Sequence, residues 1–309
     1  MQSSTPESGI DIGNTGQPEA GTTRRGGQWW RPWMRTKVYM GGSIVVIFAI
    51  VGAFGPYVAP YDPNHQSLET MLWAPQWFWG PHFLGTDNLG RDILSRIIFG
   101  ARVSLLIAFA VVFISGFVGV VLGATSGYFG GNIDFTIQKF VEVVWAFPPL
   151  LLALSIMAFL GQGLGNLILA LVAQRWIQYC RVTRGQSLSL KAREFVISAK
   201  SLGASDTQII VRHIIPNLIQ VSLVIGTFAM ASSIISEASL SFLGLGVPPE
   251  IPTWGTMLAD GRIYISPAWW LALFPGLCIF MTVLGINLLG DGLRDILDPR
   301  LKRASSGVT

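Results

Sequence analysis

Long runs of apolar residues, separated by short polar stretches, dominate this chain. A helix of roughly 20 mostly apolar residues crosses the hydrocarbon core of a bilayer, which is about 30 Å thick. Six segments meet or approach this length, at about 38–59, 101–127, 138–160, 164–183, 217–243 and 268–290. The fourth is interrupted by Gln174 and Arg175 before apolar residues resume. The pattern predicts an all-α integral membrane protein with six transmembrane helices.

The polar stretches divide the chain into four regions. Residues 1–28 are polar and lack an apolar core. We therefore predict a disordered cytoplasmic tail over 1–36 and an uncleaved first span rather than a cleaved signal. Residues 37–100 are assigned to the first transmembrane helix and an external loop, and 101–292 to a core of five helices. The remaining residues, 293–309, are predicted to form a cytoplasmic C-terminal tail.

Lys and Arg residues predict the orientation, because short loops that carry an excess of them stay in the cytoplasm. If the N-terminus is inside, the cytoplasmic segments hold 16 of the 21 basic residues. The external segments hold Arg91, Arg96, Arg102 and Arg262, and Arg175 remains within the fourth span. Both termini are therefore predicted to be cytoplasmic.

The composition excludes several classes of function. Apolar residues make up 51% of the chain and charged residues 12%, which fits a surface covered by lipid. The net charge is +4, but the basic residues form no contiguous stripe, so no nucleic-acid partner is expected. The two cysteines, Cys180 and Cys278, lie far apart in apolar segments, which argues against a disulfide framework or a CxxC site.

Patterns of catalytic and metal-binding residues are also missing from the sequence. A P-loop requires Gly-Lys followed by Ser or Thr, and no lysine follows a glycine here. The histidines at positions 65, 82 and 213 are too scattered to predict a metal site, and neither HExxH nor GxSxG occurs. We therefore expect no catalytic residue, metal or cofactor on this chain. If the protein works uphill, its energy must come from a partner or an ion gradient.

The most informative segment lies between the fourth and fifth predicted spans. Phe195, Ala199 and Leu202 recur at helical spacing, and Gly203 can adopt the left-handed conformation that ends a helix. Ser205 and Gln208 have the spacing of a capping box that opens another helix. The sequence predicts two short helices that meet at Gly203, and a break at Pro216 where the fifth span begins.

This pair of helices, hereafter the elbow (residues 194–214), has three interpretations. A rigid elbow on the cytoplasmic side can fit a groove of a soluble partner and be moved by it. The alternative is an amphipathic connector lying on lipid headgroups. A DNA-binding helix-turn-helix has a similar pattern, but a short segment tethered between two spans buries too little core for that fold.

The elbow resembles the cytoplasmic signature of binding-protein-dependent ABC importer permeases, Glu-Ala-Ala, three residues, Gly, nine residues, Ile, one residue, Leu-Pro. Ala199, Gly203 and Pro216 fall in register with it. Ile197 and Ser198 replace the usual Glu and Ala, and residues 213 and 215 are His and Ile where Ile and Leu are usual.

Further motifs narrow the resemblance to the second permease of dipeptide, oligopeptide, glutathione or nickel importers, over about residues 36–302. They are Leu-Gly-Thr-Asp-Asn-Leu-Gly-Arg-Asp at 84–92, Ala-Phe-Pro at 146–148, Leu-Gly-Ala-Ser-Asp at 202–206, Glu-Ala-Ser-Leu-Ser-Phe-Leu-Gly-Leu-Gly at 237–246, Pro-Thr-Trp-Gly at 252–255 and Asn-Leu-Leu-Gly-Asp-Gly-Leu-Arg-Asp at 287–295.

The resemblance implies a multi-subunit assembly in a bacterial inner membrane. Its expected partners are a second homologous permease, two ATPase subunits that bind ATP and Mg, an extracytoplasmic substrate-binding protein and membrane lipid. The segment at about 197–206 would be the coupling helix that docks on an ATPase subunit. Its implied contact residues are Ser198, Ala199, Lys200, Ser201, Leu202, Gly203, Ala204, Ser205 and Asp206.

Three charged residues within or near spans are candidates for the translocation path, because burying charge in lipid is costly. They are Glu142 in the third span, Arg175 in the fourth, where it could receive a peptide carboxylate, and Glu237 in the fifth. The alternative is that each forms a pair inside the bundle or extends to the interface.

Three other features leave alternatives open. The loop at 84–92 is either a contact for the binding protein or a capped turn that starts a helix near Asp92. Pro148 and Pro149 should bend the third span, either to gate a path or to fit a neighbouring helix. Small residues at Gly123 and Gly127, and at 161, 163 and 165, are typical of close helix packing.

The predicted function is that of an importer permease for di- or oligopeptides or glutathione. Import of a nickel chelate by the same family is the alternative. An ion-gradient-driven carrier would carry more intramembrane acids and often an inverted repeat, and neither is visible. A non-transport scaffold is the remaining class.

Overall fold

A computed structural model describes residues 30–297, with side chains from residue 36 onward. Regular structure in this part is helical, with no β-strand and one isolated bridge between Thr86 and Asp92. The α-helices are α1 (Trp30–Val58), α2 (Ile93–Phe129), α3 (Gly131–Trp145), α4 (Pro149–Leu160), α5 (Leu164–Lys191), α6 (Glu194–Ser201), α7 (Asp206–Ile209), α8 (Ile215–Phe242), α9 (Trp254–Gly261) and α10 (Trp270–Leu297). Residues 1–29 and 298–309, which hold most of the predicted tails, lie outside the described residues.

Several helices of the described chain are long and apolar enough to cross a membrane. Four stretches qualify, namely Thr36–Val58, Ile93–Phe129, Asp206–Phe242 and Trp270–Leu297. The pair α3 and α4 qualifies only when taken together, and it is bent by 83°. The helix at the predicted fourth span, α5, is too polar to qualify. By length and composition the described residues therefore hold four spans, or five with the bent pair, where the sequence predicted six.

The polar helix α5 packs mainly along α2. Thr183 of α5 donates a hydrogen bond to the carbonyl of Gly119 at 3.3 Å, and Ser187 donates to that of Ala124 at 3.0 Å. A Cβ added at Gly127 would lie 2.6 Å from the carbonyl oxygen of Arg184, and Gly123 is equally close to α5. The predicted packing role of Gly123 and Gly127 is confirmed, and α2 supplies partners for polar groups of α5.

The glycines between the third and fourth predicted spans have another role. Gly161 and Gly163 have φ angles of 78° and 157°, and they form the turn between α4 and α5. A Cβ added at Gly161 or Gly165 would meet nothing within 4 Å. The predicted close packing at these positions is therefore wrong, because backbone conformation explains the glycines of the turn.

The predicted bend of the third span is present and sharp. Helix α3 ends at Trp145, α4 begins at Pro149, and the two axes differ by 83°. Pro148 precedes the first residue of α4 and Pro149 occupies its first turn, where the missing N–H removes no helical hydrogen bond. The two prolines therefore end one helix and start the next.

Helix α2 begins at Ile93, as predicted for a helix that starts near Asp92 and continues into the span at 101–127. Asp92 caps it by accepting a 2.8 Å hydrogen bond from the Ser95 amide. The predicted break at Pro216 is wrong, because helix continues from Asp206 to Phe242. A π-helical turn at Ile210–Ile214 precedes Pro216, which lies in the first turn of α8. The wider turn accommodates the proline ring without interrupting the rod.

One end of the bundle collects the start of α1, the end of α10 and the elbow. The Lys37 ammonium lies 3.4 Å from the Asp295 carboxylate, which joins the start of α1 to the end of α10. At the opposite end, Gly55 of α1 faces Ile98 near the start of α2. Helix α2 runs from there back to the first end, where Tyr128 in its last turn contacts Asp206 of the elbow.

Candidate functional site

The elbow is a pair of short helices joined at a glycine, as the sequence predicted. Helix α6 ends with Gly203 in the left-handed conformation, at φ 86°. The amides of Gly203 and Ala204 donate to the carbonyls of Lys200 and Ala199 at 3.0 and 3.1 Å. Ser205 caps α7 and forms a reciprocal capping box with Gln208. These bonds satisfy groups that helix ends would otherwise leave unpaired.

Packing against the C-terminal end of α2 holds the elbow in place. Val196, Ile209 and Ile214 are buried in one apolar cluster with Ala124 and Tyr128 of α2. The Tyr128 hydroxyl also donates a 2.6 Å hydrogen bond to the Asp206 carboxylate. The elbow is therefore fixed to α2 by an apolar core and by one charge-assisted hydrogen bond.

The rest of the elbow surface is exposed and carries both polar and apolar side chains. Phe195 and Ile197 of α6 are 41% and 54% exposed, and Leu202 at the tip is 88% exposed. The predicted contact residues from Ser198 to Asp206 all lie on this segment. Ser198 and Lys200 are in α6, Gly203 is the joint, and Asp206 begins α7. Of this predicted set, Ala199 and Ala204 pack against the buried cluster and the other seven residues are exposed.

A partly open cavity of about 480 Å³ lies between α3, α4, α5 and α8. Its lining residues include Trp145, Pro149, Leu150, Ala153, Leu171, Gln174, Arg175, Gln178, Arg181, Ser236 and Leu240. This volume is in the range of pockets that hold small organic ligands.

The three charged candidates for the path lie in different places. Arg175 lines the cavity, and its Nη2 donates to the Ser232 carbonyl at 3.1 Å and the Ser236 hydroxyl at 2.9 Å. Glu142 is exposed and pairs with Lys139 at 2.7 Å. Neither Glu142 nor Glu237 is among the residues that line the cavity.

Glu237 is 1% exposed and has partners inside the protein. Its Oε1 accepts hydrogen bonds from the hydroxyls of Ser241 at 2.9 Å and Thr253 at 2.8 Å. Thr253 in turn caps α9. This carboxylate therefore ties α9 to α8, which is the bundle-internal arrangement considered as the alternative to a path role.

Other cavity residues were missed by the sequence reasoning. Gln174, Gln178 and Arg181 are spaced by four and three residues, so they share one face of α5 with Arg175 beside them. That spacing was readable from the sequence. Trp145 was not, because its place opposite α5 depends on the angle between α3 and α4.

The loop at 84–92 is a buried, internally bonded turn. Asp87 accepts from the amides of Leu89 and Arg91 at 2.9 Å, and its Oδ2 lies 2.7 Å from Nε of Arg91. Asp92 caps α2 and also lies 3.0 Å from Nδ1 of His82. The loop at 84–92 therefore has the geometry of the capped turn that was one of its two interpretations. Among the described residues, no group of three or more His, Cys, Asp or Glu residues is placed to hold a metal.

Comparison with protein families identifies the chain. A family model described as the binding-protein-dependent transport system inner membrane component matches residues 119–303, which is more than half of the chain and includes the elbow. The chain belongs to this permease family. A second model, described as the N-terminal TM domain of oligopeptide transport permease C, matches residues 25–75. The resemblance inferred from the sequence motifs is thus confirmed.

Curated relatives of this permease match it over most of its length. The di/tripeptide transport system permease protein DppC of Pseudomonas aeruginosa is 41% identical over 90% of this chain and 93% of its own length. The glutathione transport system permease protein GsiD of Escherichia coli is 43% identical over 89% of this chain and 90% of its own. GsiD of Pectobacterium atrosepticum is 40% identical over 89% of this chain and 91% of its own.

Family membership fixes the class of the protein and its place in the cell. It is a permease of a bacterial ABC transporter and a component of the inner membrane. The apolar helices of the described residues agree with that location.

Proposed function

We propose that this chain is one permease subunit of an ATP-driven importer and forms half of the translocation path for di- or oligopeptides or glutathione. Relatives named for di/tripeptide and glutathione transport support these substrates. The chain itself has no catalytic role in this proposal. A second homologous permease completes the path, two ATPase subunits carry ATP and Mg, and an extracytoplasmic binding protein delivers the substrate.

In this proposal six helices span the membrane, with α5 as the fourth, because α2 covers its polar face. Both termini are cytoplasmic. The joining of α1 to α10 through Lys37 and Asp295 supports termini on one side. The excess of Lys and Arg in segments on that side supports the cytoplasm as that side.

The elbow is the observation that carries the proposal. It projects from the same bundle end as the start of α1, presents exposed Leu202 at its tip and is fixed to α2 by a buried cluster. We infer that residues 198–206 dock on an ATPase subunit as the coupling helix. Movement of the ATPase would reach the spans through α2 and through the unbroken rod Asp206–Phe242.

Substitution of Gly203 tests the coupling role. Valine at φ 86° costs about 1–2 kcal/mol or more in backbone strain, so Gly203→Val should disturb the elbow and abolish most ATP-dependent uptake. Gly244 is a matched control, because it has φ 79° and also has open space around it, at the far end of α8. Gly244→Val should keep uptake near wild type, and both variants should reach the membrane. Normal uptake by Gly203→Val would count against coupling through this joint.

Labelling tests the orientation. A cysteine at Ser205, in a background of Cys180→Ala and Cys278→Ala, should react with a membrane-impermeant reagent in inverted vesicles and not in sealed right-side-out cells. Reaction from outside would end the proposal.

Two other functions make different predictions for the purified assembly. An ion-gradient-driven carrier or a scaffold would leave the membrane without an ATPase subunit and without ATP-dependent uptake. A nickel-chelate importer would retain the ATPase but would take up labelled nickel chelate rather than alanyl-alanine or glutathione.

A further inference from the structure

The cavity between α3, α4, α5 and α8 has an unbalanced charge. Its lining includes two arginines, Arg175 and Arg181, and no aspartate or glutamate. The remaining polar side chains are neutral, namely Gln174, Gln178 and Ser236. Most of the other lining residues are apolar. Two cations in a largely apolar cavity attract an anion more strongly than the same cations in water would.

Arg175 is held in a fixed position by one of its nitrogens, and its other N–H groups remain available as hydrogen-bond donors. Its Nη2 is anchored by the Ser232 carbonyl and the Ser236 hydroxyl of α8. No hydrogen bond joins its Nε or Nη1 to any of the described residues, and the side chain lines the cavity. A guanidinium presents several N–H groups in a planar fork that matches a carboxylate.

Arg181 lies one helical turn beyond Gln178 and rests on an aromatic ring. Its Cζ is 3.5 Å from the ring centroid of Trp145, the last residue of α3. Gln174 donates a 2.7 Å hydrogen bond to the carbonyl of Phe147, in the break between α3 and α4. Both contacts join α5 to the bend of the third span. An exposed cation–π contact is worth only about 0.5–1 kcal/mol, so a carboxylate can displace Trp145 as the partner of Arg181.

We propose that this cavity is a transient binding site for a carboxylate of the transported molecule, with Arg175 as the fixed anchor and Arg181 as a second, movable cation. The proposal rests on the proposed importer function and specifies its cargo as a molecule that presents a carboxylate. A peptide terminus and either carboxylate of glutathione have this chemistry. A cationic cargo is disfavoured by the two arginines.

A chemical test of the cavity is independent of transport. We would replace Gln178, which is exposed in the cavity, by cysteine in a Cys180→Ala and Cys278→Ala background. The complete assembly in detergent is then treated with anionic and cationic thiosulfonate reagents of equal size. The anionic reagent should react about fivefold faster or more, and Arg175→Gln should remove much of that preference. Equal reaction rates of the two reagents in the protein that retains Arg175 would overturn the proposal.

A control arginine distinguishes cavity charge from net charge. Arg102 of α2 is exposed and outside the cavity. Arg102→Gln removes the same charge and should leave the reagent preference unchanged. Arg175→Lys should retain the preference, because it keeps the charge. A loss of preference in Arg102→Gln equal to that in Arg175→Gln would contradict a local site.

Transport provides the second measurement. With alanyl-alanine and glutathione as probes, Arg175→Gln should lower the number of molecules imported per ATP about tenfold or more, which is the usual effect of losing a charge-assisted hydrogen bond. Arg175→Lys should be intermediate, because it keeps the charge without the planar fork.

The two proposals fail in different ways. If wild-type assemblies contain no ATPase or import nothing with ATP, the importer function fails, and the reagent rates still report on the cavity. If wild-type import is normal, and the Arg175→Gln protein has the same uptake and the same reagent preference as the protein that retains Arg175, the carboxylate site alone fails.

Discussion

Glu237 shows how one buried carboxylate can organise two helices. Its side chain is enclosed, and the hydroxyls of Ser241 and Thr253 both donate to its Oε1. A Cβ on Gly255 would lie 2.8 Å from the same oxygen, so α9 approaches closely because residue 255 is glycine. The cost of enclosing this carboxylate is offset in part by the two hydroxyl donors.

Replacing Glu237 should therefore affect stability. Glu237→Leu leaves the two buried hydroxyls without their acceptor, so the thermal transition in detergent should fall by an amount equivalent to about 1–3 kcal/mol. Glu237→Gln retains an acceptor oxygen and should lose less. Glu142→Leu removes a half-exposed carboxylate and should change stability by less than about 0.5 kcal/mol. Equal losses in the Glu237→Leu and Glu142→Leu proteins would contradict the tie between α8 and α9.

Individual residues were predictable where their effect is local. The capping role of Ser205 and the left-handed conformation of Gly203 were expected from neighbours within three positions, and the structure confirms them. For Asp92 the capped turn was one of two alternatives, and the structure shows that cap. The partners of Glu237 were not predictable, because Thr253 is 16 residues away and reaches it only through the fold.

At the scale of elements, the contact of α2 with α5 explains how a polar helix is accommodated in the bundle. Gly119, Gly123 and Gly127 recur every four residues and form a flat strip on α2. Main-chain atoms of α5 lie directly against this strip. Close backbone approach then lets hydroxyls such as that of Thr183 reach carbonyls of the neighbouring helix.

Enlarging this strip should separate the two helices. In Gly127→Ala the new Cβ would lie 2.6 Å from the Arg184 carbonyl oxygen, which is backbone and has little freedom to move. We expect a loss of about 1–3 kcal/mol, measured by thermal unfolding in detergent. Gly165→Ala in α5 is the matched control, because it meets nothing within 4 Å and alanine favours helix. Unchanged stability of Gly127→Ala would show that α5 can shift away from α2 without cost.

At the scale of the whole molecule, the elbow is fixed to the bundle rather than hanging from it. Tyr128 is 3% exposed, and its hydroxyl donates to Asp206, 78 positions away in the sequence. The ammonium of Lys191 lies 5.5 Å from the centre of the same ring. The end of α2, the end of α5 and the elbow therefore meet at one tyrosine.

Removing the Tyr128 hydroxyl should loosen the elbow without unfolding the bundle. Because Asp206 is exposed, the bond is worth about 1 kcal/mol, so amide exchange across residues 194–214 should become about fivefold faster in Tyr128→Phe. Tyr57→Phe is the control, since Tyr57 is 86% exposed. Uptake per ATP should fall with the faster exchange if the elbow transmits force. Unaltered exchange in Tyr128→Phe would show that the apolar cluster alone holds the elbow.

The sequence by itself determined that this is a membrane protein, because its apolar runs require lipid. It also determined helix caps and left-handed glycines, because their conformation depends on neighbours a few residues away. It also determined the family, through motifs spread along the chain. Only the tertiary structure decided that α3 and α4 meet at 83°, that helix continues through Pro216, and that Arg175 and Arg181 share a cavity with Trp145. Those outcomes depend on angles and contacts between helices that are far apart in the sequence. These are fixed only when the helices bury their apolar faces and pair their polar groups at the same time.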